Sequence, residues 1–294
     1  MNTEIILSDV NKFYGNKQAL KNINLKIEKG MFGLLGRNGA GKTTLMKVIT
    51  TLLPTNGGEV TICGVNVKEG NKIREMVGYL PQDFSMYGNM TAYEVMDYLG
   101  VLSGLDKKTR KERIPNLLES VNLQNNMRTK VKAMSGGMKR RLGIAQAILH
   151  EPKILIVDEP TAGLDPEERV RFRNLLSEIA NDRIVILSTH IVADIEATCD
   201  KIAVMDEGNI IYHGTVTELL VKTEGKIYSA KISKVELDEV KKKYLVTNML
   251  MMPGEVNVRF VVNHKENLFE GATLCTPNVE DAYMYLMHEK RGAK

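Results

Sequence analysis

The sequence predicts an α/β fold: a mostly parallel sheet, a helical insertion at about residues 85–150, and a small α+β domain from about residue 221. Three observations carry that reading. The runs "MFGLLG" (31–36), "KILIVDE" (153–159) and "RIVILSTH" (183–190) are apolar without alternation, as strands buried on both faces of a parallel sheet are. Helical patterns follow the first two of them. Between about Ser85 and His150 the strand signal fades and helical segments take over.

Taken in order, the first strand (31–36) passes through a glycine-rich loop into a helix whose apolar face is Leu45, Val48, Ile49 and Leu52. In the insertion, Thr91 and Glu94 form a capping box that opens the helix "AYEVMDYLGVL". After the second strand, "LDPEE" sets Asp165 as N-cap, Pro166 at the first helical position and Glu168 as capping-box partner of "PEERVRFRNLLSEIA". The third strand ends in "STH". Beyond about Leu220, "KIYSAKIS" reads as a strand and "KVELDEVKKKY" as a helix. "LVTNMLMM" and "EVNVRFVV" read as strands flanking a Pro253-Gly254 turn, and a last helix begins near Pro277. Met249, Met251 and Met252 read as core or adaptable packing. The domains expected are therefore 1–220, carrying the insertion, and 221–294.

Composition bounds the partners. The chain has 294 residues, 43% hydrophobic and 26% charged, enough to bury a full core, and its net charge of +4 gives no concentrated basic face for nucleic acid. Cys63, Cys199 and Cys275 are far apart and show no C-x-x-C spacing, which fits a reducing cytoplasm and suggests neither a disulfide framework nor zinc. The start lacks the pattern of a signal peptide, and no apolar run approaches the ~20 residues of a membrane span.

The loop "GRNGAGKT" matches G-x-x-x-x-G-K-[ST] in the context that motif requires, after a buried strand and before an amphipathic helix. Glycines let successive N–H groups turn toward phosphate oxygens, and the helix adds the positive end of its dipole. Lys42 is placed to reach β- and γ-phosphates and Thr43 to ligate Mg²⁺. Asp158 and Glu159 close the second strand: Asp158 is placed for the metal shell and Glu159 to polarise an attacking water. His190 ends the third strand, at the carboxyl edge where a γ-phosphate would lie; a structural histidine there is the plainer alternative. The charge run "KKTRKER" (107–113) reads as a solvated helix face.

With these residues in place, residues of about 4 to 220 resemble the nucleotide-binding subunit of an ATP-binding cassette (ABC) transporter. Tyr14 resembles the aromatic residue that stacks on adenine. Gly36 to Thr44, through Asn38, Gly39, Ala40, Gly41, Lys42 and Thr43, resembles the Walker A loop. Gln82 in "YLPQD" resembles the Q-loop glutamine that touches the metal and senses the membrane partner. "MSGGM" is similar to the signature motif, "ILIVDE" to Walker B, "AGLD" to the D-loop, and His190 to the switch histidine. Met138 departs from the glutamine of the commonest signature, although the Ser-Gly-Gly contacts to an anion do not depend on it.

The resemblance implies an ATPase with ATP and Mg²⁺ as ligands and Lys42, Gln82, Glu159 and His190 in its catalytic machinery. It implies that two cassettes pack head to tail, Ser135, Gly136 and Gly137 of one closing over the nucleotide of the other, in a homodimer or with a sister cassette. It further implies docking through Gln82 and the insertion to separate permease subunits at the cytoplasmic face of the membrane, driving transport, with export suggested by the single cassette and short α+β tail. The rival readings are a non-transport ABC ATPase acting on nucleic acid or the ribosome, and a weakly catalytic regulatory cassette. The chain lacks the coiled-coil insertion or tandem cassettes usual in the first, and retains the Lys42, Glu159 and His190 that the second would lack.

Overall fold

The computed structural model describes residues 3–262 and 268–292. In chain order they form β1 (Glu4–Tyr14), β2 (Lys17–Glu28), β3 (Gly30–Gly36), α1 (Lys42–Ile49), β4 (Gly57–Ile62), β5 (Val65–Asn66), α2 (Gly70–Met76), β6 (Val77–Leu80), α3 (Ala92–Leu102), α4 (Lys107–Ser120), α5 (Gly136–Ile148), β7 (Ile154–Asp158), α6 (Pro166–Ile179), β8 (Ile184–Thr189), α7 (Val192–Thr198), β9 (Lys201–Asp206) and β10 (Asn209–Thr215). There follow α8 (Val216–Val221), β11 (Ile227–Ile232), α9 (Glu236–Lys243), β12 (Leu245–Met251), β13 (Val256–Val261), β14 (Thr273–Leu274) and α10 (Val279–Gly292).

The three apolar runs are β3, β7 and β8, and they lie side by side. A six-stranded sheet has the order β10-β9-β3-β8-β7-β6, with β9/β3, β3/β8, β8/β7 and β7/β6 all parallel. Every residue of β7 and β8 is buried, which explains why neither run alternates. Because β3, β8 and β7 are neighbours, the segments leaving their carboxyl ends at Gly36, Thr189 and Asp158 converge on one edge of the sheet.

Expectation and structure part in several places. A four-stranded sheet of order β2-β1-β4-β5, with β1 antiparallel to β2 and to β4 and β4 antiparallel to β5, precedes and flanks the phosphate loop in sequence, and the sequence pattern did not suggest it. The alternation of β1 is broken by irregular register between Leu7 and Val10, where Asp9 adopts a positive φ of 49°, and between Val10 and Lys12. The helix α1 ends at Ile49 rather than running on: Thr51 has φ 61°, and Leu52 is left 58% exposed instead of joining the apolar face. Met249, Met251 and Met252 are not core. They are exposed along and just beyond β12, which among the described residues pairs only with β13.

The insertion contains α3, α4 and α5. The expected capping box is present at α3, Thr91 N–H donating to Glu94 Oε2 at 2.7 Å and Glu94 N–H to Thr91 Oγ1 at 3.2 Å. Asp106 caps α4 by accepting from the N–H groups of Lys108 and Thr109. The chain divides into two compact units, Met1–His213 and Gly214–Lys294, a division earlier than the expected boundary after residue 220 because α8 packs on α10. The second unit has its own four-stranded sheet, β12-β13-β11-β14, and its own core around Phe260, Val258 and Val240.

Candidate active site

The phosphate loop links β3 to α1 through a backbone that only glycine allows at two points. A Cβ on Gly36 would stand 2.3 Å from Met205 O. Gly41 has φ 109°, and a Cβ there would stand 2.7 Å from Ala19 O. Gly41 is also the N-cap of α1, so no side chain caps that helix, and its first-turn N–H groups are left to face an anion. Lys42 is the first residue of α1 and is only 5% exposed. Its Nζ donates to Gly36 O at 2.7 Å and Arg37 O at 3.3 Å, which curls the ammonium back over the loop.

Asp158 and Glu159 leave β7 in different directions because the chain turns between them. Glu159 has φ 49°, a left-handed conformation that costs a non-glycine residue about 1 kcal/mol or more, and its N–H donates to Ser188 O at 2.9 Å, which pins the turn to the next strand. Asp158 is fully buried. Its Oδ2 accepts from Thr43 Oγ1 at 2.8 Å and its Oδ1 from Ser188 Oγ at 2.9 Å. Burial pushes its carboxyl above the ordinary 3.8; the two hydroxyls oppose that, and the neighbouring Glu159 carboxylate adds to it. Glu159 Oε2 lies 2.7 Å from His190 Nδ1, and Glu159 Oε1 lies 3.2 Å from Lys42 Nζ. That carboxylate is 5% exposed, while the imidazole is 44% exposed at the rim.

These groups border a cavity of about 880 Å³, lined among others by Tyr14, Asn38, Gly39, Lys42, Thr43, Thr44, Gln82 and Glu159. Tyr14 is 47% exposed and Gln82 is exposed. Gly36, Asp158 and His190 adjoin the cavity through the bonds already described, and Ala40 through its N–H, which donates to Arg37 O at 3.1 Å within the loop, though none of the four lines it. Its size and open, polar floor suit a nucleotide rather than a small metabolite. The Thr43 hydroxyl that lines it, with the buried Asp158 carboxylate oxygen 2.8 Å behind it and the second carboxylate oxygen held by Ser188, is a donor set that fits a hard divalent cation.

Ser135, Gly136 and Gly137 do not line this cavity. They open α5, where Ser135 is the N-cap and its Oγ accepts from Met138 N–H at 3.2 Å, leaving the hydroxyl hydrogen free to donate outward. Ser135 and Gly136 are exposed. The exposed part of this helix start thus lies outside the cavity that borders the chain's own phosphate loop.

Two further groups carry weight that the sequence reading did not assign. Ser188, inside the "STH" segment, orients Asp158. Thr161 Oγ1 donates to the fully buried Asp194 at 2.5 Å, tying the segment after Glu159 to α7, which follows His190. One expectation is corrected: Asp165 does cap α6, accepting from Glu168 N–H at 2.8 Å, but Glu168 does not return to complete a capping box. Its carboxylate is drawn instead to Arg141, at 2.5 Å, and to Arg171, at 3.1 Å, because charge-assisted bonds to guanidinium outcompete a backbone amide.

Comparison with known proteins agrees with this geometry. The family described as ABC transporter matches residues 20–162. The linearmycin resistance ATP-binding protein LnrL of Bacillus subtilis is 37% identical over 220 residues, 74% of this chain and 71% of its own length. The bacitracin transport ATP-binding protein BcrA of Enterococcus faecalis is 36% identical over 258 residues, 85% of this chain and 82% of its own. Among solved structures, cbiO1 of Clostridium perfringens, part of the ABC transporter complex cbiONQ, superposes with TM-score 0.70 at 29% identity over 76% of this chain and 93% of that one. A dimeric ATP-binding cassette bound to ADP and Pi superposes with TM-score 0.66 at 26% identity, covering 72% and 98%. The chain belongs to the ABC transporter family as an ATP-binding, ATP-hydrolysing subunit.

Proposed function

We propose that this chain hydrolyses ATP at the cavity above β3, β7 and β8, and that Glu159 is the general base. The observation that carries the reading is the set of contacts around one buried carboxylate: Lys42 on one oxygen, His190 on the other, and the Thr43–Asp158 pair beside them. Tyr14 offers its ring to the adenine, and Asn38 to Thr44 offer backbone N–H groups to the phosphates. An entering phosphate competes with Glu159 for the Lys42 ammonium, which frees Glu159 Oε1 to take a proton from water. The water oxygen bonds to the γ-phosphorus as the bond to the β,γ-bridging oxygen breaks, giving ADP and phosphate. His190 holds Glu159 Oε2 and so fixes the direction of the other oxygen. Thr43, Asp158 and Gln82 would hold Mg²⁺, which supplies charge neutralisation for the phosphates when bound.

The same reading has two chains close head to tail, the Ser135–Gly137 helix start of each meeting the γ-phosphate held by the other. It is supported by the exposure of Ser135 and Gly136 and by the absence of all three residues from the lining of their own chain's cavity. Closure then moves permease subunits docked near Gln82 and the insertion. Among the described residues no helix is long and apolar enough to cross a membrane, which fits a subunit lying at the cytoplasmic face. Export is the direction we favour, because relatives are named for linearmycin resistance, bacitracin transport and Nod factor export. The test is the molecular mass of Glu159→Gln in solution with and without ATP and Mg²⁺. An ATP-dependent passage from monomer to dimer supports a self-sufficient homodimer. A variant that binds ATP and stays monomeric removes that reading in favour of a sister cassette or of closure that needs the permease.

A further inference from the structure

The first turn of α5 is held from below by a carboxylate. Glu168 belongs to the first turn of α6, immediately after the "AGLD" segment, yet its side chain lies against Gly137: a Cβ on that glycine would stand 2.6 Å from Glu168 Oε2 and 3.1 Å from its Cδ. The same Oε2 accepts from Arg141 Nη1 at 2.5 Å, and Arg141 is one turn further along α5. The pair is largely enclosed, with side chains 12% and 20% exposed, and Arg141 Nε is buried with no hydrogen-bond partner, so the guanidinium depends on Glu168. Gly137 thus does two things. It continues the helix start behind the exposed Ser135 and Gly136 while itself buried, and it leaves the space that the tie occupies.

We propose that Arg141 and Glu168 are a positioning pair: their bond fixes the Ser135–Gly137 helix start to α6 so that it is presented, ordered, to the nucleotide of a second cassette. The inference rests on the head-to-tail reading above for its consequence, but the ordering itself belongs to a single chain. A carboxylate beneath a helix N-terminus is favourable for the dipole yet unfavourable for an anion arriving at the same N–H groups, and Arg141 neutralises it. The tie therefore stiffens the cradle without charging it against phosphate. Neither residue lines the chain's own nucleotide cavity.

The test uses Glu168→Ala, Glu168→Gln and Arg141→Lys in the full chain, with three readouts: amide hydrogen exchange of the ATP-free monomer, ATP affinity of the monomer, and ATP-driven association in the Glu159→Gln background. The expected result for Glu168→Ala is faster exchange confined to the peptides covering residues 135–142, unchanged ATP affinity, and association weakened roughly tenfold, the scale of one hydrogen bond to a charged group. Glu168→Gln, which keeps an acceptor without the charge, and Arg141→Lys, which keeps the charge without the fork, fall between Glu168→Ala and the parent. Unchanged exchange in 135–142 overturns the proposal. So does faster exchange throughout the first unit, which would assign the pair to fold stability. If the Glu159→Gln parent does not associate with ATP, the homodimer reading is what fails, and the exchange measurement still decides the positioning claim.

Discussion

Replacing Glu159 by glutamine tests the site most sharply, because it changes one charge and almost no volume. In the present geometry the carboxylate faces Lys42 Nζ at 3.2 Å, and the two side chains are both 5% exposed. At an effective dielectric of about 20 the attraction over that distance is about 5 kcal/mol, much of it offset by the cost of keeping both ions from water. Glutamine removes that hold on the ammonium, so Lys42 becomes freer to meet phosphate. The expected outcome is therefore two opposite changes. Turnover falls by about 10²- to 10⁴-fold, the range for a lost general base and equivalent to about 2.7–5.4 kcal/mol in the barrier. The ATP dissociation constant falls or stays level. Steady-state phosphate release and equilibrium titration with a fluorescent ATP analogue measure the two independently, and circular dichroism checks the fold. Turnover within about threefold of the parent refutes Glu159 as base. Loss of ATP binding refutes the competition between phosphate and Glu159 for Lys42.

Three further outcomes are expected. Lys42→Ala abolishes productive ATP binding in equilibrium titration, with the exposed Tyr14 left unable to retain the nucleotide alone; binding within a few-fold of the parent would place the phosphates elsewhere. Ser135→Arg leaves ATP binding by the monomer intact but blocks ATP-driven association, seen as an unchanged mass in light scattering; loss of monomer binding would put the signature segment in its own chain's site. Asp158→Asn separates metal binding from stability. Because burial raises the Asp158 carboxyl, the folded state holds its proton more tightly than the unfolded chain, and the ionised group costs stability increasingly as pH climbs from the ordinary 3.8 through the raised value. Without Mg²⁺ or ATP the variant should melt higher than the parent near neutral pH, with the gap closing in acid, while Mg²⁺ with ATP should stabilise the parent more than the variant. A lower midpoint for the variant near neutral pH would mean that the bonds from Thr43 and Ser188 outweigh desolvation.

The sequence alone determined those features whose physics is local. The "GRNGAGKT" loop is legible because the turn from β3 into α1 needs backbone conformations that a handful of glycines specify, and Gly41 at φ 109° is the instance. The runs 153–159 and 183–190 are legible as strands because both faces are buried, and the partners of the box, Thr91 and Glu94, are only three positions apart. The Glu168 expectation failed for the converse reason: the spacing was right, but a partner on another helix, 27 positions away, offered a stronger bond. In the first antiparallel sheet β1 was obscured by register irregularities that erase the period of two, whereas β2 keeps that period through Ile23, Leu25 and Ile27 and was legible in principle.

Strand order was left to the tertiary structure. Apolar runs carry no mark of which other run lies beside them, since dispersion and burial reward any well-packed neighbour. Only the arrangement with β8 between β3 and β7 brings Thr43 to Asp158 across 115 positions and His190 to Glu159 across 31. The residue types for phosphate, metal and proton chemistry could thus be read along the chain, whereas their assembly into one site, and the tie between Arg141 and Glu168 beneath the signature helix, follow from packing that sequence spacing does not encode.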